Sequence, residues 1–348
     1  MSTPTRVGVI GCGVIAKRYV EDSVAFDTWR PVACADLDAT AAEAFGAEHA
    51  LKVETVDELL ADPEVDLVLN LTPPMAHTAV IRAALEGGKH VYTEKPLATT
   101  VEEGAELVAQ ADRLGLRLGC APDTFLGSAY ETGRALIEAG EIGEPLGFTA
   151  TMLVGGPDTW HPNAEMFYRA GAGPMLDIAP YYLTAMAALA GPFAATCALA
   201  ATPTPLRTFG KGPRTGETFA VEVPTLVAAV LELERGALAT LTVSFEARGQ
   251  YVSGLFVYGE AATLSLPDAN GFGGEVRIKR GSEEWAAVPY ESQGPRETRG
   301  IGLDEMVLAL RDGRPHRASG ALSLHVLETA TAVLRSADER RVIEVVTR

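Results

Sequence analysis

Residues 6–16 read R-V-G-V-I-G-C-G-V-I-A, a β-branched run that leads into a glycine-rich turn and then into a helical pattern. This is the G-x-G-x-x-G/A pattern in the strand–turn–helix context that dinucleotide binding requires. Gly11 permits the tight turn, Gly13 lets the backbone approach a pyrophosphate, and Ala16 lets the helix pack closely on the strand. The helix N-terminus offers N–H groups and a partial positive charge to phosphates. The predicted phosphate-binding backbone comprises Gly11, Cys12, Gly13, Val14 and Ile15.

A carboxylate follows the turn at the spacing typical of ribose recognition. Asp36 ends the next predicted strand, about 20 residues further on, where it can accept hydrogen bonds from ribose hydroxyls. The same carboxylate repels a 2′-phosphate, and the neighbouring Leu37 offers no compensating arginine. The pair therefore predicts NAD rather than NADP as the cofactor.

The order of strand and helix patterns predicts two domains of different architecture. The first third alternates β-branched runs with Ala-rich helical stretches, which favours a doubly wound parallel sheet, a Rossmann domain, over residues 1–122. Consecutive strands with short Gly-containing links dominate later, so residues 123–348 are predicted to form an α+β domain with an open, mostly antiparallel sheet. Residues 202–217, rich in Pro, Gly and Thr, are predicted to form a mobile loop.

Composition limits the partners. The 348 residues are 47% apolar, enough for two self-sufficient cores, and 46 acidic against 29 basic residues give a net charge of −17. That charge argues against nucleic acid or an anionic membrane surface as the main partner. The uncharged segment Ile178–Leu206 is long enough to cross a bilayer, but Gly191 and Pro192 interrupt it. We interpret it as a buried helix followed by a buried strand.

The cysteines predict reduced thiols. Cys12, Cys34, Cys120 and Cys197 lie far apart in sequence without C-x-x-C spacing, which argues against a zinc cage and against any metal site. The first residues show no stretch resembling a signal peptide, so we expect a cytoplasmic protein.

A second chemical motif lies at residues 91–97, V-Y-T-E-K-P-L, at the end of a later predicted strand. In an open parallel sheet this edge faces the ligand crevice. The Lys95–Pro96 bond can be cis, which would direct Lys95 into the crevice. The alternative is a surface lysine in a loop.

Together with the glycine-rich turn, two further stretches resemble the Gfo/Idh/MocA family, the group of glucose-fructose oxidoreductase, inositol dehydrogenase and rhizopine-catabolism proteins. They are L-N-L-T-P-P-M-A-H at residues 69–77 and G-G-K-H-V-Y-T-E-K-P-L-A at residues 87–98. The resemblance implies a Rossmann domain with a second domain on an open sheet, and oxidation or reduction of a secondary alcohol or ketone of a sugar or cyclitol. It also implies a homodimer or homotetramer formed through the exposed face of the second sheet.

By position, the resemblance assigns roles to five residues of these stretches. Thr72, Pro73 and His77 are placed in the cofactor cleft, Glu94 near the nicotinamide ribose, and Lys95 at the substrate hydroxyl. His77 on its own is also compatible with a packing role.

The family's further catalytic pattern, D-x-G-x-H-x-x-D, is altered here. Residues 171–184 read G-A-G-P-M-L-D-I-A-P-Y-Y-L-T. Asp177 matches the first Asp, Tyr181 stands where the catalytic His normally is, and Ala179 and Thr184 replace the Gly and the second Asp. On one helix, Asp177 and Tyr181 would lie a turn apart on the same face, within reach of one substrate.

Oxidation of an alcohol requires a base for the hydroxyl proton. The reference pKa of tyrosine, about 10, is far above that of histidine, about 6.5, so Tyr181 would need help from the Lys95 ammonium. Lys95 itself, or His161 in the T-W-H-P-N loop, are the alternatives. Asp177 would orient the sugar. Asp123 is either a further substrate-binding residue or a helix cap.

The predicted catalytic residues are thus Lys95, Asp177 and Tyr181, and the predicted substrate-binding set adds Asp123 and His161. Two other functions stay open. One is an NAD-dependent glycosidase that acts by transient oxidation and elimination, without net redox change. The other is a catalytically inactive NAD-binding sensor or scaffold.

Overall fold

The structure, a computed structural model, describes residues 3–348, which divide into two compact units. The first unit extends to Leu126 and also contains Gln293–Leu324. The second unit comprises Gly127–Ser292 and His325–Arg348. This differs from the predicted pair of consecutive domains, because the chain returns to the first unit near its C-terminus.

The described elements are as follows. The strands are β1 (Thr5–Ile10), β2 (Trp29–Ala35), β3 (Lys52–Val53), β4 (Leu67–Asn70), β5 (His90–Thr93), β6 (Leu118–Cys120), β7 (Pro145–Leu153), β8 (Phe193–Ala201), β9 (Leu206–Thr208), β10 (Thr218–Ala220), β11 (Leu226–Leu233), β12 (Leu238–Ser244), β13 (Val252–Gly259), β14 (Thr263–Leu266), β15 (Arg277–Lys279), β16 (Ala286–Ala287) and β17 (Ile343–Glu344). The helices are α1 (Val14–Asp22), α2 (Ala39–His49), α3 (Val56–Ala61), α4 (Pro74–Glu86), α5 (Val101–Leu114), α6 (Ser128–Glu138), α7 (Pro174–Asp177), α8 (Ala179–Ala190), α9 (Ile301–Asp312) and α10 (Gly320–Glu339).

The first unit is built on a six-stranded sheet in the order β3-β2-β1-β4-β5-β6, with every pair parallel. The prediction of a doubly wound parallel sheet is confirmed. All four residues of β4 are buried, as expected for a central strand covered on both faces. The strand order reverses between β1 and β4, which opens a ligand crevice at the carboxyl ends of these strands.

The returning segment completes the first unit at two places. The Cys120 N–H donates to the Ala318 carbonyl at 3.0 Å, so the segment pairs with the outer strand β6. The first turn of α9 receives a cap from Asp123, whose carboxylate accepts the Gly302 N–H at 3.0 Å. These long-range contacts explain why residues 293–324 belong to the first unit.

The second unit contains a nine-stranded sheet in the order β16-β15-β14-β13-β7-β12-β11-β8-β17. Among the described strands of this second sheet, only β7 and β12 pair in parallel, so the prediction of a mostly antiparallel sheet is confirmed. The uncharged segment at 178–206 contains the helix α8, which is buried as predicted, and the strand β8, which is not the buried strand that was predicted, because Cys197 and Leu199 on one of its faces are exposed. Over residues 3–348, no helix combines the length and the apolar character needed to cross a membrane.

The predicted mobile loop at residues 202–217 is instead partly a packed ribbon. Its strand β9 pairs antiparallel with β10, the strand that directly follows the stretch. The Arg207 side chain of β9 is 0% exposed and forms ion pairs with Asp158, at 3.3 Å, and Glu246, at 2.6 Å. Burial of a charged group requires partners, and both carboxylates lie far away in sequence. We call these three side chains the Arg207 cluster.

Candidate cofactor and substrate sites

The glycine-rich turn after β1 has the geometry of a phosphate cradle. Gly11 has a φ of +97°, and a side-chain carbon there would lie 2.7 Å from the backbone of Leu71, so only glycine fits. At Gly13 a side-chain carbon would meet no described atom within 4 Å, which leaves open space at the N-terminus of α1. No side chain among the described residues caps this end of α1, so the amides of its first turn are available to an anion. The turn therefore fits the pyrophosphate of a dinucleotide.

Asp36 connects this turn to the end of β2. Its Oδ2 atom accepts the Cys12 N–H at 2.7 Å, and its Oδ1 atom accepts the Asp38 N–H at 2.9 Å. A carboxylate has about four acceptor positions, so capacity remains for ribose hydroxyls. The neighbouring Leu37 is 95% exposed.

A cavity of about 890 Å³ opens beside the turn, in the size range of small-molecule sites. Gly11, Asp36, Leu37, Thr72 and Pro73, all predicted to contact the cofactor, are on its wall. Of the described residues that line it, five are carboxylates and none is lysine or arginine. The carboxylates are Asp36, Glu43, Glu54, Asp57 and Glu58.

Sequence reasoning missed Asn70, which organises the same edge of the sheet. This residue ends β4 and is 0% exposed. Its Oδ1 atom accepts the Thr72 hydroxyl at 2.7 Å, and its Nδ2 atom donates to the Thr93 hydroxyl at 3.1 Å. The turns after β4 and β5 are thereby linked. A polar residue inside the apolar run L-V-L-N-L was the available signal.

His77 lies in the protein interior and not at the surface of the cofactor cleft, where it was predicted. It is 0% exposed. Its Nδ1 atom lies 2.6 Å from the Pro96 carbonyl oxygen, and its Nε2 atom lies 2.8 Å from that of Thr72. The imidazole thus joins the Thr72 turn to the Glu94–Lys95–Pro96 turn from the protein interior.

The Glu94–Lys95–Pro96 turn follows β5 at this edge, and the Lys95–Pro96 bond is cis, as the sequence allowed. Lys95 is half-buried. The Glu94 carboxylate accepts the Tyr19 hydroxyl and the Lys95 N–H, each at 3.0 Å. Burial and the charge of Glu94 hold the pKa of Tyr19 well above its usual value, so Tyr19 remains a hydrogen-bond donor. Tyr19 was not predicted from the sequence, although it lies one turn after Ala16 on the buried side of α1.

Asp123 lies inside the first unit. Its side chain is 0% exposed, caps α9 and forms an ion pair with Arg299 at 3.9 Å. Burial raises the pKa of this carboxyl, and the Arg299 charge opposes the shift. Of the two predicted roles, the helix cap describes this geometry.

In the second unit, the predicted single helix carrying Asp177 and Tyr181 is broken. Asp177 is the last residue of α7, and Tyr181 lies in the first turn of α8, after a break at Ile178. The physical reason is Pro180, which has no N–H and whose ring would clash with the carbonyl of a preceding helical turn. The Tyr181 N–H donates to the Ile178 carbonyl at 3.2 Å, a tighter turn than an α-helix. The two side chains therefore do not share the simple helical face that the sequence suggested.

The start of α8 is anchored by the residue after Tyr181. Tyr182 is 0% exposed, and its hydroxyl donates to Asp268 at 2.7 Å. Burial and the Asp268 charge raise the pKa of Tyr182. Tyr181 itself is 8% exposed and Asp177 is half-buried. Thr184, in place of the family's second Asp, is buried, and its hydroxyl has no hydrogen-bond partner in the described part of the chain.

His161 lies on the loop that precedes α7. It is half-buried, and its Nδ1 atom accepts the Asn163 N–H at 3.0 Å. Its ring packs edge-on against Trp160 and Phe167, with ring centroids 5.3 and 5.0 Å away. The same loop is fixed at Asp158 by the Arg207 cluster.

Two family models match the chain. The model described as an oxidoreductase family with an NAD-binding Rossmann fold, Gfo/Idh/MocA, matches residues 5–121. The model of the Gfo/Idh/MocA C-terminal domain matches residues 130–265. The two matches together cover most of the chain and one falls in each predicted domain.

Individual relatives match over shorter stretches. A dTDP-3,4-didehydro-2,6-dideoxy-alpha-D-glucose 3-reductase from Saccharopolyspora spinosa is 36% identical over 185 residues, 52% of this chain and 54% of the relative. A 1,5-anhydro-D-fructose reductase from Ensifer adhaerens is 33% identical over 178 residues, 50% of this chain and 53% of the relative. The chain thus spans about half the length of these curated relatives. A solved structure of levoglucosan dehydrogenase with NADH and L-sorbose matches with a TM-score of 0.85 at 22% identity, over 99% of both chains, which shows a common fold.

Proposed function

The chain belongs to the Gfo/Idh/MocA family of oxidoreductases, and from this premise we propose that it transfers a hydride between NAD and a secondary alcohol or ketone of a sugar, a sugar derivative or a cyclitol. The observation that carries the proposal is the edge of the first sheet. There the glycine-rich turn, the Thr72 turn and the Lys95 turn follow three neighbouring parallel strands, and Asn70 and His77 join the latter two. A cofactor cradle and a candidate catalytic lysine are thereby fixed at one crevice of the first unit.

We propose NAD rather than NADP as the cofactor. The described wall of the cavity carries five carboxylates and no lysine or arginine. Glu54 pairs with Lys52 at 2.6 Å, and Glu58 is occupied by the Thr55 N–H at 2.9 Å. Asp36, Glu43 and Asp57 remain to oppose a 2′-phosphate.

The residues of this chain would bind the substrate and move its proton. NAD, when bound, accepts a hydride from the alcohol carbon. Lys95 would contact the hydroxyl oxygen, and its ammonium favours the deprotonated form of the oxygen it contacts. Tyr181, as a phenolate stabilised by the Lys95 ammonium, would accept the proton; an uncharged Lys95 amine or His161 is the alternative base. Asp177 would orient neighbouring hydroxyls of the sugar.

The test is a screen of polyols, sugars and glycosides with NAD, in which absorbance of NADH and the organic product are followed together. We expect stoichiometric NADH with a ketone product. Cleavage of a glycoside with only catalytic NAD would replace the proposal by a glycosidase. NADH binding without turnover of any tested substrate would replace it by a sensor or scaffold.

Variants then assign the residues. Lys95→Ala and Tyr181→Phe should each lower kcat about 100- to 10,000-fold while NADH still binds. Lys211→Ala, at an exposed lysine, and Tyr290→Phe are the matched controls. His161→Asn with unchanged kcat would remove His161 as the base. Unchanged turnover in both Lys95→Ala and Tyr181→Phe would contradict the proposed mechanism.

We also propose a homodimer or homotetramer, located in the cytoplasm. Leu199, Val230, Leu238 and Tyr258 are 59%, 46%, 55% and 40% exposed. The strand register places these side chains on one face of the second sheet. Exposed large apolar side chains on one sheet face favour association, and Val230→Lys should shift the oligomer toward monomer in light scattering.

A further inference from the structure

A buried tyrosine connects the helix after the glycine-rich turn to the turn after β5. Tyr19 lies in the second turn of α1 and is 0% exposed. Its hydroxyl donates to the Oε1 atom of Glu94 at 3.0 Å. In the sheet order, β4 separates β1, which precedes α1, from β5, which precedes Glu94. The hydrogen bond therefore joins parts of the first unit that are two strands apart.

Both oxygens of the Glu94 carboxylate are held by donors of the first unit. The Oε1 atom accepts the Tyr19 hydroxyl, and the Oε2 atom accepts the Lys95 N–H, each at 3.0 Å. The two donors set the plane of the carboxylate, because a rotation about its last bond would misalign both hydrogen bonds. A carboxylate has about four acceptor positions, so capacity remains for hydroxyl groups of a ligand.

The surroundings of Tyr19 keep the proton on its hydroxyl. Burial and the charge of Glu94 hold the pKa of Tyr19 well above its usual value. A hydroxyl that donates to a carboxylate makes a stronger hydrogen bond than one that donates to a neutral group. Phenylalanine would fill the same space without a donor, so the exchange of Tyr19 for phenylalanine isolates this hydrogen bond.

We propose that Tyr19 is a positioning residue, which holds Glu94 for the nicotinamide half of the cofactor and thereby holds Lys95 for the substrate. The inference rests on the proposed hydride transfer. Beyond Lys95, the same turn is held at the Pro96 carbonyl oxygen, 2.6 Å from the Nδ1 atom of His77. Without the Tyr19 hydroxyl, the Glu94 carboxylate can rotate away from the ligand and release the start of the turn. A displacement of a catalytic group by about 1 Å can lower a rate about 100-fold.

The first test compares Tyr19→Phe with the wild type as full-length proteins. We expect the Kd for NADH to rise about tenfold, since a hydrogen bond to a charged group is lost. The Kd for ADP, which lacks the nicotinamide half, should stay unchanged. With a substrate from the screen, kcat should fall about 10- to 100-fold.

Tyr92→Phe is the matched control. Tyr92 is also 0% exposed and lies in β5 of the same sheet, but its hydroxyl has no hydrogen-bond partner within residues 3–348. Loss of this hydroxyl should leave kcat and both affinities unchanged. ADP binding also shows that each variant is folded.

The second test asks whether Tyr19 acts through Glu94. Glu94→Ala should raise the Kd for NADH at least as much as Tyr19→Phe does. The double variant should then bind NADH as Glu94→Ala does, because the tyrosine has no carboxylate left to position. A role of Tyr19 that is independent of Glu94 would instead give two effects that multiply.

Three results would overturn the proposal. The first is an NADH affinity or a kcat that Tyr19→Phe leaves unchanged. The second is an equal loss of NADH and ADP affinity, which would assign the effect to α1 itself. The third is a pair of effects that multiply in the double variant. The binding measurements need no substrate, so they decide the role of Tyr19 even if the screen finds no turnover and the proposed hydride transfer fails.

Discussion

The turns after β1, β4 and β5 in the first unit, which we call the cofactor turns, and the loop before α7 in the second unit are held by different interactions. Around the cofactor turns, Asn70 and His77 make hydrogen bonds to groups on neighbouring turns. The loop before α7 is instead fixed by the Arg207 cluster, in which Asp158 and Glu246 share one fully buried guanidinium. Removal of one partner from such a cluster leaves an uncompensated buried charge, whereas a lost neutral hydrogen bond has a modest cost. The second unit should therefore be the more sensitive to single substitutions.

The largest expected effect is at the centre of the Arg207 cluster. Arg207→Met should lower the free energy of unfolding by about 3–5 kcal/mol, because Asp158 and Glu246 lose their counterion. Arg214→Met, at a half-exposed arginine that also pairs with two carboxylates, should change the stability far less, because solvent screens its charge. Chemical denaturation measures both. If Arg207→Met were as stable as the wild type, the second unit would not be the more sensitive of the two regions.

The next effect concerns the cofactor turns. Asp36→Ala combined with Leu37→Arg should weaken NADH binding about 10- to 100-fold, because hydrogen bonds to a charged group are lost, and should strengthen NADPH binding. Asp27→Asn, at an exposed carboxylate that does not line the cavity, is the control and should leave both affinities unchanged. Fluorescence titration with both cofactors gives the ratio. A double variant that still prefers NADH would contradict the role of Asp36.

A smaller effect is expected at Asn70. Asn70→Ala removes the link between Thr72 and Thr93, and should raise the Kd for NADH about fivefold, the equivalent of one neutral hydrogen bond of about 1 kcal/mol. The control is Met75→Ala, at an 83% exposed residue in the first turn of α4, which should leave the Kd unchanged. If Asn70→Ala lowered the free energy of unfolding as much as Arg207→Met does, the two regions would be equally sensitive.

The smallest effect is a pH dependence of the second unit. Burial alone would raise the pKa of Glu246, but hydrogen bonds from Thr225 and Thr204 and the Arg207 charge bring it below its usual value of 4.5. The stabilisation is therefore present above the usual value and is lost as the pH falls through the lower folded-state pKa. Glu246→Gln should flatten the decline in stability below about pH 4.5. If denaturation experiments show that the stabilities of the wild type and of Glu246→Gln decline equally steeply with falling pH, the assignment is contradicted.

Prediction from sequence succeeded where the signal is local. The glycine-rich turn, the parallel sheet and the helix and strand within 178–206 depend on neighbouring residues and their periodicity. Two local signals were not used: Asn70 is a polar residue in an apolar strand, and Pro180 is a helix breaker between Asp177 and Tyr181.

The remaining features depend on pairs that no local pattern connects. Arg207 finds its two carboxylates 49 and 39 positions away, and Asp123 caps a helix 179 positions further on. The composition of 202–217 predicted mobility because Pro, Gly and Thr are typical of loops, and a single arginine gives no indication of its buried partners.

The return of residues 293–324 to the first unit has a consequence for synthesis. A ribosome completes the nucleotide-binding half only after residue 324 has emerged, because α9 and the partner of β6 follow the whole of segment 127–292. Until then the edge of β6 and the Asp123 carboxylate lack their native partners. Vectorial, domain-by-domain folding is thereby unavailable to this half, and the nascent protein has an extended period in which chaperones can engage it.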